Sequence, residues 1–193
     1  MYDLIFYLEL GLLHVLDWNA IDHMLFLCAL TIVYNFKDFK TVFWVVTFFT
    51  FGHTFSLILS AFDLFKPSSQ LIEFLIPTTI IVTSLYNILE TKKSKNNLFE
   101  YGFSIFFGLI HGLGFASSIA EVGIPQDRLW QIILSFNLGV ELGQLAVAFA
   151  ILGLFALAKR YFSQSYYGSI HNITGAVVFS MGTFWFVTRA MGI

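Results

Sequence analysis

Seven apolar stretches, at about 4–16, 20–36, 41–62, 71–89, 101–120, 129–158 and 170–188, take up nearly the whole of this 193-residue sequence. The breaks between them are short and polar. A helix needs about 20 apolar residues to cross the hydrocarbon of a bilayer, so the length is used up by spans. The pattern predicts an all-α, polytopic membrane protein with six to seven transmembrane helices in one bundle over residues 1–193, and leaves no room for a separate soluble domain. Composition agrees: 58% of residues are hydrophobic and 11% charged, where a soluble domain carries roughly 25% charged residues. The first stretch, about 13 residues, is short for a span and reads equally as a re-entrant or surface-lying segment.

Basic residues set the expected orientation. Breaks after the second, fourth and sixth stretches carry Lys37 and Lys40, then Lys92, Lys93 and Lys95, then Lys159 and Arg160. Those after the first, third and fifth carry none, Lys66 and Arg128. The positive-inside bias therefore places 37–40, 92–95 and 159–160 in the cytoplasm, and it places the breaks at Asp17–Asn19, Pro67 and Pro125 outside with the C-terminus. Asn19 is a candidate cap for the second helix. Met1-Tyr2-Asp3-Leu4 has no Lys or Arg ahead of its apolar stretch, so a cleavable signal peptide is not expected. The lone Cys28 cannot form an internal disulfide. No basic patch exceeds Lys92-Lys93-Ser94-Lys95, and no nucleic-acid partner is expected.

Most charges mark the ends of helices. Four acids remain inside the stretches, Glu9, Asp22, Glu73 and Glu141, with no Lys or Arg inside them to pair. Four of the five histidines, His14, His23, His53 and His111, lie there too, and the fifth, His171, stands at the cytoplasmic edge of the last stretch. Ionisable groups within spans are unfavourable by several kcal/mol unless they face a cavity, a partner or an ion. The residual negative charge calls for a cation. On the expected topology His14, Asp17, Asp22 and His23 flank the outer break, and Glu73 lies near the outer end of its helix. His53, His111, Asn137 and Glu141 sit deeper, toward the midplane.

Spacing places several of these on shared faces. Asn137, Glu141 and Gln144 fall at i, i+4 and i+7, and His53, Ser56 and Ser60 form a second stripe. Gly108 and Gly112 bracket His111, and Gly139 and Gly143 bracket Glu141, in G-x-x-x-G arrangements that allow close helix approach and could join His111 to Glu141. Gly11-Leu12-Leu13-His14 and Gly108-Leu109-Ile110-His111 form a weak internal repeat. Imidazole with carboxylate suits Ni, Zn, Co or Fe(II) better than Mg or Ca, and no thiolate cluster exists to select Cu(I). Each residue also has a plainer reading: a membrane histidine as helix-to-helix glue, Asp22 as a helix-start residue, Glu9 as interfacial. The residues call for a lipid bilayer and a metal ion as partners; further copies of the chain are an open third.

Four ordered blocks resemble the HupE/UreJ family: His14 with Asp22-His23-Met24-Leu25-Phe26-Leu27, Phe49-Thr50-Phe51-Gly52-His53-Thr54-Phe55-Ser56, Phe107 to Ala116 around His111, and Phe136 to Gln144 around Glu141. The family's signature usually has five residues between its first His and the Asp-His pair; here seven intervene, Val15 to Ile21. The resemblance implies a bacterial inner-membrane permease for nickel or a similar divalent ion (Ni, Zn or Co). It implies His14, Asp22 and His23 as the uptake signature, with His53, His111 and Glu141 as further family positions; these six are the expected metal residues, and the residues' own spacing and depth put Asn137, Gln144, Glu73, Ser56 and Asp17 around them. An intramembrane zinc-dependent hydrolase using the same His, Asp and Glu residues remains the alternative.

Overall fold

The computed structural model describes the backbone of residues 2–17, 21–89, 97–122 and 128–192, and the side chains of all of these except 2–3, 97, 116–122 and 164–165. The Asn19 cap, the Lys92–Lys95 break and Pro125 lie outside the described residues. The regular structure among the described residues is helical: α1 (Tyr2–Leu16), α2 (Ile21–Thr31), α3 (Phe39–Ala61), α4 (Ser69–Leu89), α5 (Asn97–Val122), α6 (Leu129–Tyr161) and α7 (Gln164–Met191), with a 3-10 turn at Phe36–Asp38 before α3. α3 to α7 are each long and apolar enough to cross a membrane, and α1 with α2, bent by 70°, could make a sixth crossing. Phe51 (63% exposed), Phe106 (57%) and Leu138 (51%) project from the bundle, where lipid is the solvent that suits them. The chain is a multi-pass membrane protein.

Contacts at the helix ends fix the directions. Lys159 Nζ donates to Asn35 Oδ1 (3.1 Å), while the rings of Phe62 and Trp130 meet at 5.1 Å. α3 and α6 are therefore antiparallel. One end of the bundle holds Lys37, Lys40, Lys159 and Arg160 and is called the basic end below; the opposite end holds Phe62 and Trp130. α7 runs antiparallel to α4, with Gly175 against Ile88, Gly182 against Ile80, and Arg189 beside Glu73.

α1 runs parallel to α6. Ser135 Oγ donates to Leu4 O, Gly139 lies against Leu8 and Leu12, and Gly143 against Leu12 and Val15. α1 thus starts at the opposite end and stops beside Gly143, about 21 Å along α6 at 1.5 Å per residue. α2 then leads to the basic end, where Tyr34 Oη donates to Glu100 Oε2 (2.7 Å). With 15 and 11 residues, α1 and α2 reach about 22 and 16 Å; each alone falls short of the roughly 30 Å hydrocarbon core. The break after Leu16 therefore lies deep within the bundle. This differs from the outward placing of the Asp17 break, while a first stretch that does not span by itself is one of the readings the sequence left open. Hydropathy registers a polar break but not its depth.

Two helix pairs are locked by glycine in the same way. In α1/α6 a Cβ on Gly11 would overlap Phe136 O, and one on Gly139 would overlap Leu8 O. In α3/α5 a Cβ on Gly52 would overlap Ile105 O, and one on Gly108 would overlap Phe49 O. The offsets are identical: each first glycine faces the carbonyl three residues before its partner glycine, and the reverse. Only a missing side chain permits this backbone approach. The pairs run in opposite directions, as an inverted repeat does. The offsets, being the same in both directions, allow the match of Gly11 with Gly108 that the tetrapeptides suggest, with Gly52 then matching Gly139. Because Gly108 and Gly112 pack on α3 while Gly139 and Gly143 pack on α1, these motifs do not join α5 to α6.

Candidate metal centre

The helix break and the α3/α5 lock bring four histidines together. His14 stands in the last turn of α1 and His23 in the first turn of α2; their rings are 4.5 Å apart, edge to face. His23 lies 5.7 Å from His111 on α5. His53, fully buried on α3, is linked to His111 through Phe49, whose ring is 6.3 Å from one and 5.3 Å from the other. The sequence placed His14 and His23 at an outer rim and His53 and His111 deeper. Folding the break inward puts all four in one neighbourhood.

Their hydrogen bonds fix which ring nitrogen carries the proton. Asn137 Nδ2 donates to Ile133 O (2.8 Å), so its Oδ1 accepts from His53 Nδ1 (2.8 Å). Thr79 Oγ1 donates its proton to Ile76 O (2.7 Å), so it accepts from His111 Nε2 (3.0 Å). Asp22 Oδ1 accepts from His23 Nδ1 (3.0 Å) and from the His23 backbone N–H (2.9 Å). In each ring the other nitrogen is left with a lone pair. Those nitrogens, His53 Nε2, His111 Nδ1 and His23 Nε2, are buried without a hydrogen-bond partner, and so is His14 Nε2. Burying a polar atom unpaired is unfavourable by about 1–3 kcal/mol, and imidazoles held on one nitrogen with the other free are the usual form of metal ligands.

The donor type therefore suits a divalent transition metal. The donors do not yet close around one: among the described residues no three His, Cys, Asp or Glu side chains are grouped tightly enough to hold one ion. A cavity of about 500 Å3 lined by Leu10, Leu13, His14, Leu16, Asp17 and Phe115 reaches the cluster at His14. On the basic side, Phe26 and Phe49 pack beneath His111, with ring centres at 4.8 and 5.3 Å, and Phe107 backs Phe26 at 5.7 Å. All three are buried.

The other expected positions divide. Gln144 Oε1 accepts from Thr50 (3.0 Å), and Ser56 Oγ donates to His53 O (3.1 Å). Glu141 accepts from Thr47 (2.7 Å), so it is held by α3 rather than paired with His111. Asp17 is exposed beside His14. Glu9 and Glu73 are exposed, and Glu73 contributes its backbone instead.

That backbone contact brings in a residue the sequence assigned to a helix end. Pro77 has no N–H to bond the carbonyl four residues earlier, which is Glu73 O. Arg189 Nη1 donates to that oxygen (2.8 Å), and its Nη2 lies 3.9 Å from Asp22 Oδ2. Asp22 thus has a cationic neighbour after all. A proline inside the fourth apolar stretch was the available signal, since it frees one carbonyl for an outside donor. Thr79, which sets the His111 tautomer, was also missed; an isolated threonine in an apolar run carries no such mark.

No curated protein and no solved structure matches the chain. The family model described as HupE / UreJ protein matches residues 1–189. The chain belongs to the HupE/UreJ family, whose members are of the metal-transporter type.

Proposed function

We propose that the protein is a permease taking up a divalent transition-metal ion, nickel or a close neighbour, across a bacterial inner membrane, with its basic end in the cytoplasm. The observation that carries this reading is the set of four buried ring nitrogens without partners, on His14, His23, His53 and His111, gathered at a break between two half-helices. An ion entering by the Asp17–His14 cavity meets His14 and His23 first, and then His111 and His53. Asp22 orients His23 and supplies negative charge; Asn137 and Thr79 keep the deeper rings in the ligating tautomer. Because the donors stand too far apart to close on one ion, loading draws the ends of α1 and α2 inward. Half-helices of this kind carry the ion sites of many secondary transporters. The aromatic layer beneath His111 blocks passage to the basic end in this arrangement, as alternating access requires.

The test is entry of Ni2+ into liposomes holding the purified protein and a trapped metal-sensitive dye. Wild type should exceed empty vesicles by at least about tenfold, and His23→Ala should abolish the difference. Tightly retained zinc with no ion entry would instead support the hydrolase alternative.

A further inference from the structure

Beyond the aromatic layer lies a second polar pocket that the histidine cluster does not use. A cavity of about 50 Å3 between α2, α4 and α5 is lined by Tyr34, Thr83, Tyr86, Asn87 and Glu100 among apolar residues. Thr79, Thr83 and Asn87 lie at successive i+4 steps of α4, all buried. They lead from the partner of His111 toward the basic end over about 12 Å.

Thr83, Tyr34 and Asn87 each commit a proton within the protein. Thr83 Oγ1 donates to Thr79 O (2.7 Å), Tyr34 Oη donates to Glu100 Oε2 (2.7 Å), and an Asn87 Nδ2 proton goes to Ala29 O. What remains to face a ligand is oxygen lone pairs, one carboxylate and the second Asn87 N–H. The carboxylate and the lone pairs accept a cation. Glu100 was read from the sequence as an end-marking charge, yet it meets a buried tyrosine.

We infer that this pocket is a second cation site, an all-oxygen release site on the basic side of the bundle. Its part in uptake rests on the permease reading above. Oxygen ligands hold a late transition-metal ion more weakly than imidazole does and suit Mn2+ or Mg2+ better. An ion passing from histidine to oxygen therefore moves to a site it leaves easily. The cavity has room for an ion with a water or two, and the Tyr34–Glu100 hydrogen bond closes it until a cation competes for the carboxylate.

Mn2+ alone, titrated into the full-length protein in nanodiscs and followed by the loss of its free-ion electron paramagnetic resonance signal, tests the site without transport. Glu100→Gln should weaken Mn2+ binding at least about tenfold, while His111→Ala should leave it within about twofold. Tyr34→Phe keeps the carboxylate and removes the donor that occupies it, so Mn2+ should bind about threefold tighter. Mn2+ binding that is absent in wild type, unchanged in Glu100→Gln, lost equally in His111→Ala, or weakened in Tyr34→Phe would overturn the inference. In the liposome assay Glu100→Gln should slow Ni2+ entry about fivefold while leaving Ni2+ affinity unchanged. If wild type admits no Ni2+, the permease reading fails, and the Mn2+ titration still decides the pocket.

Discussion

The α1/α6 and α3/α5 pairs share one set of glycine offsets and differ in what lies on either side of them. In α3/α5 the lock falls within two long helices, and His53 is part of it: a Cβ on Gly108 would approach the His53 backbone N at 3.0 Å, and Gly112 lies against the His53 carbonyl. His111 sits between those two glycines. The backbone of both deep histidines is thereby fixed to within what van der Waals contact allows. In α1/α6 the same lock joins the longest helix to one that ends at Leu16, just past His14. His14 is carried on a short lever beside the break. One packing device serves once to fix a pair of candidate ligands and once to hold the root of the segment that carries His14.

The largest effect expected from this comparison is loss of the fold. Gly108→Leu and Gly139→Leu each place a branched side chain where a carbonyl oxygen already lies, so each should destabilise by more than about 4 kcal/mol and yield no monodisperse protein in detergent. If one variant melts like wild type and the other does not, the two locks are not equivalent. Next in size is the tautomer control: Thr79→Val removes the acceptor for His111 Nε2, and calorimetric Ni2+ affinity should fall 10–100-fold, the range for lost outer partners of metal ligands. An unchanged affinity would detach His111 from the ion.

Arg189→Gln tests the edge of the cluster. Removing a cation 3.9 Å from Asp22 should tighten Ni2+ binding several-fold, and the gain should shrink as salt rises. Weaker binding would mean that Arg189 holds Asp22 in place instead of competing with the ion. The smallest effect belongs to the helix pair without a lock. A Cβ on Gly182 meets the Ile80 and Ile81 side chains at 3.1 and 3.2 Å; these side chains can shift, and alanine is the better helix former. Gly182→Ala should change stability by less than about 1 kcal/mol in thermal unfolding.

Much of the site was legible because membrane-embedded polar residues are few and each needs a reason. His14, Asp22, His23, His53 and His111 were all marked by residue type, and Asn137 and Gln144 share a face as their spacing suggested, with α3 as the partner that the structure adds. Glu141 on the same stripe accepts from Thr47 of α3 and does not meet His111, because the glycines beside it face α1 and leave α5 elsewhere. Glu9 and Glu73 carried the same sequence signal as Asp22 and lie exposed; which face of a helix is lipid-facing is set by its neighbours.

The sequence by itself determined a helical membrane bundle, its basic end, the close-packing glycines and the kind of ion its donors suit, since these follow from hydropathy, charge and ligand chemistry acting locally. The tertiary structure decided that α1 runs parallel to α6 and stops halfway, that Gly108 seeks Phe49 and Gly139 seeks Leu8, and that Arg189 reaches Asp22 through a carbonyl freed by Pro77. Those are choices between partners of nearly equal local preference. They are settled only when backbones meet across the bundle, where a missing Cβ or a missing N–H has no meaning until the facing helix is present.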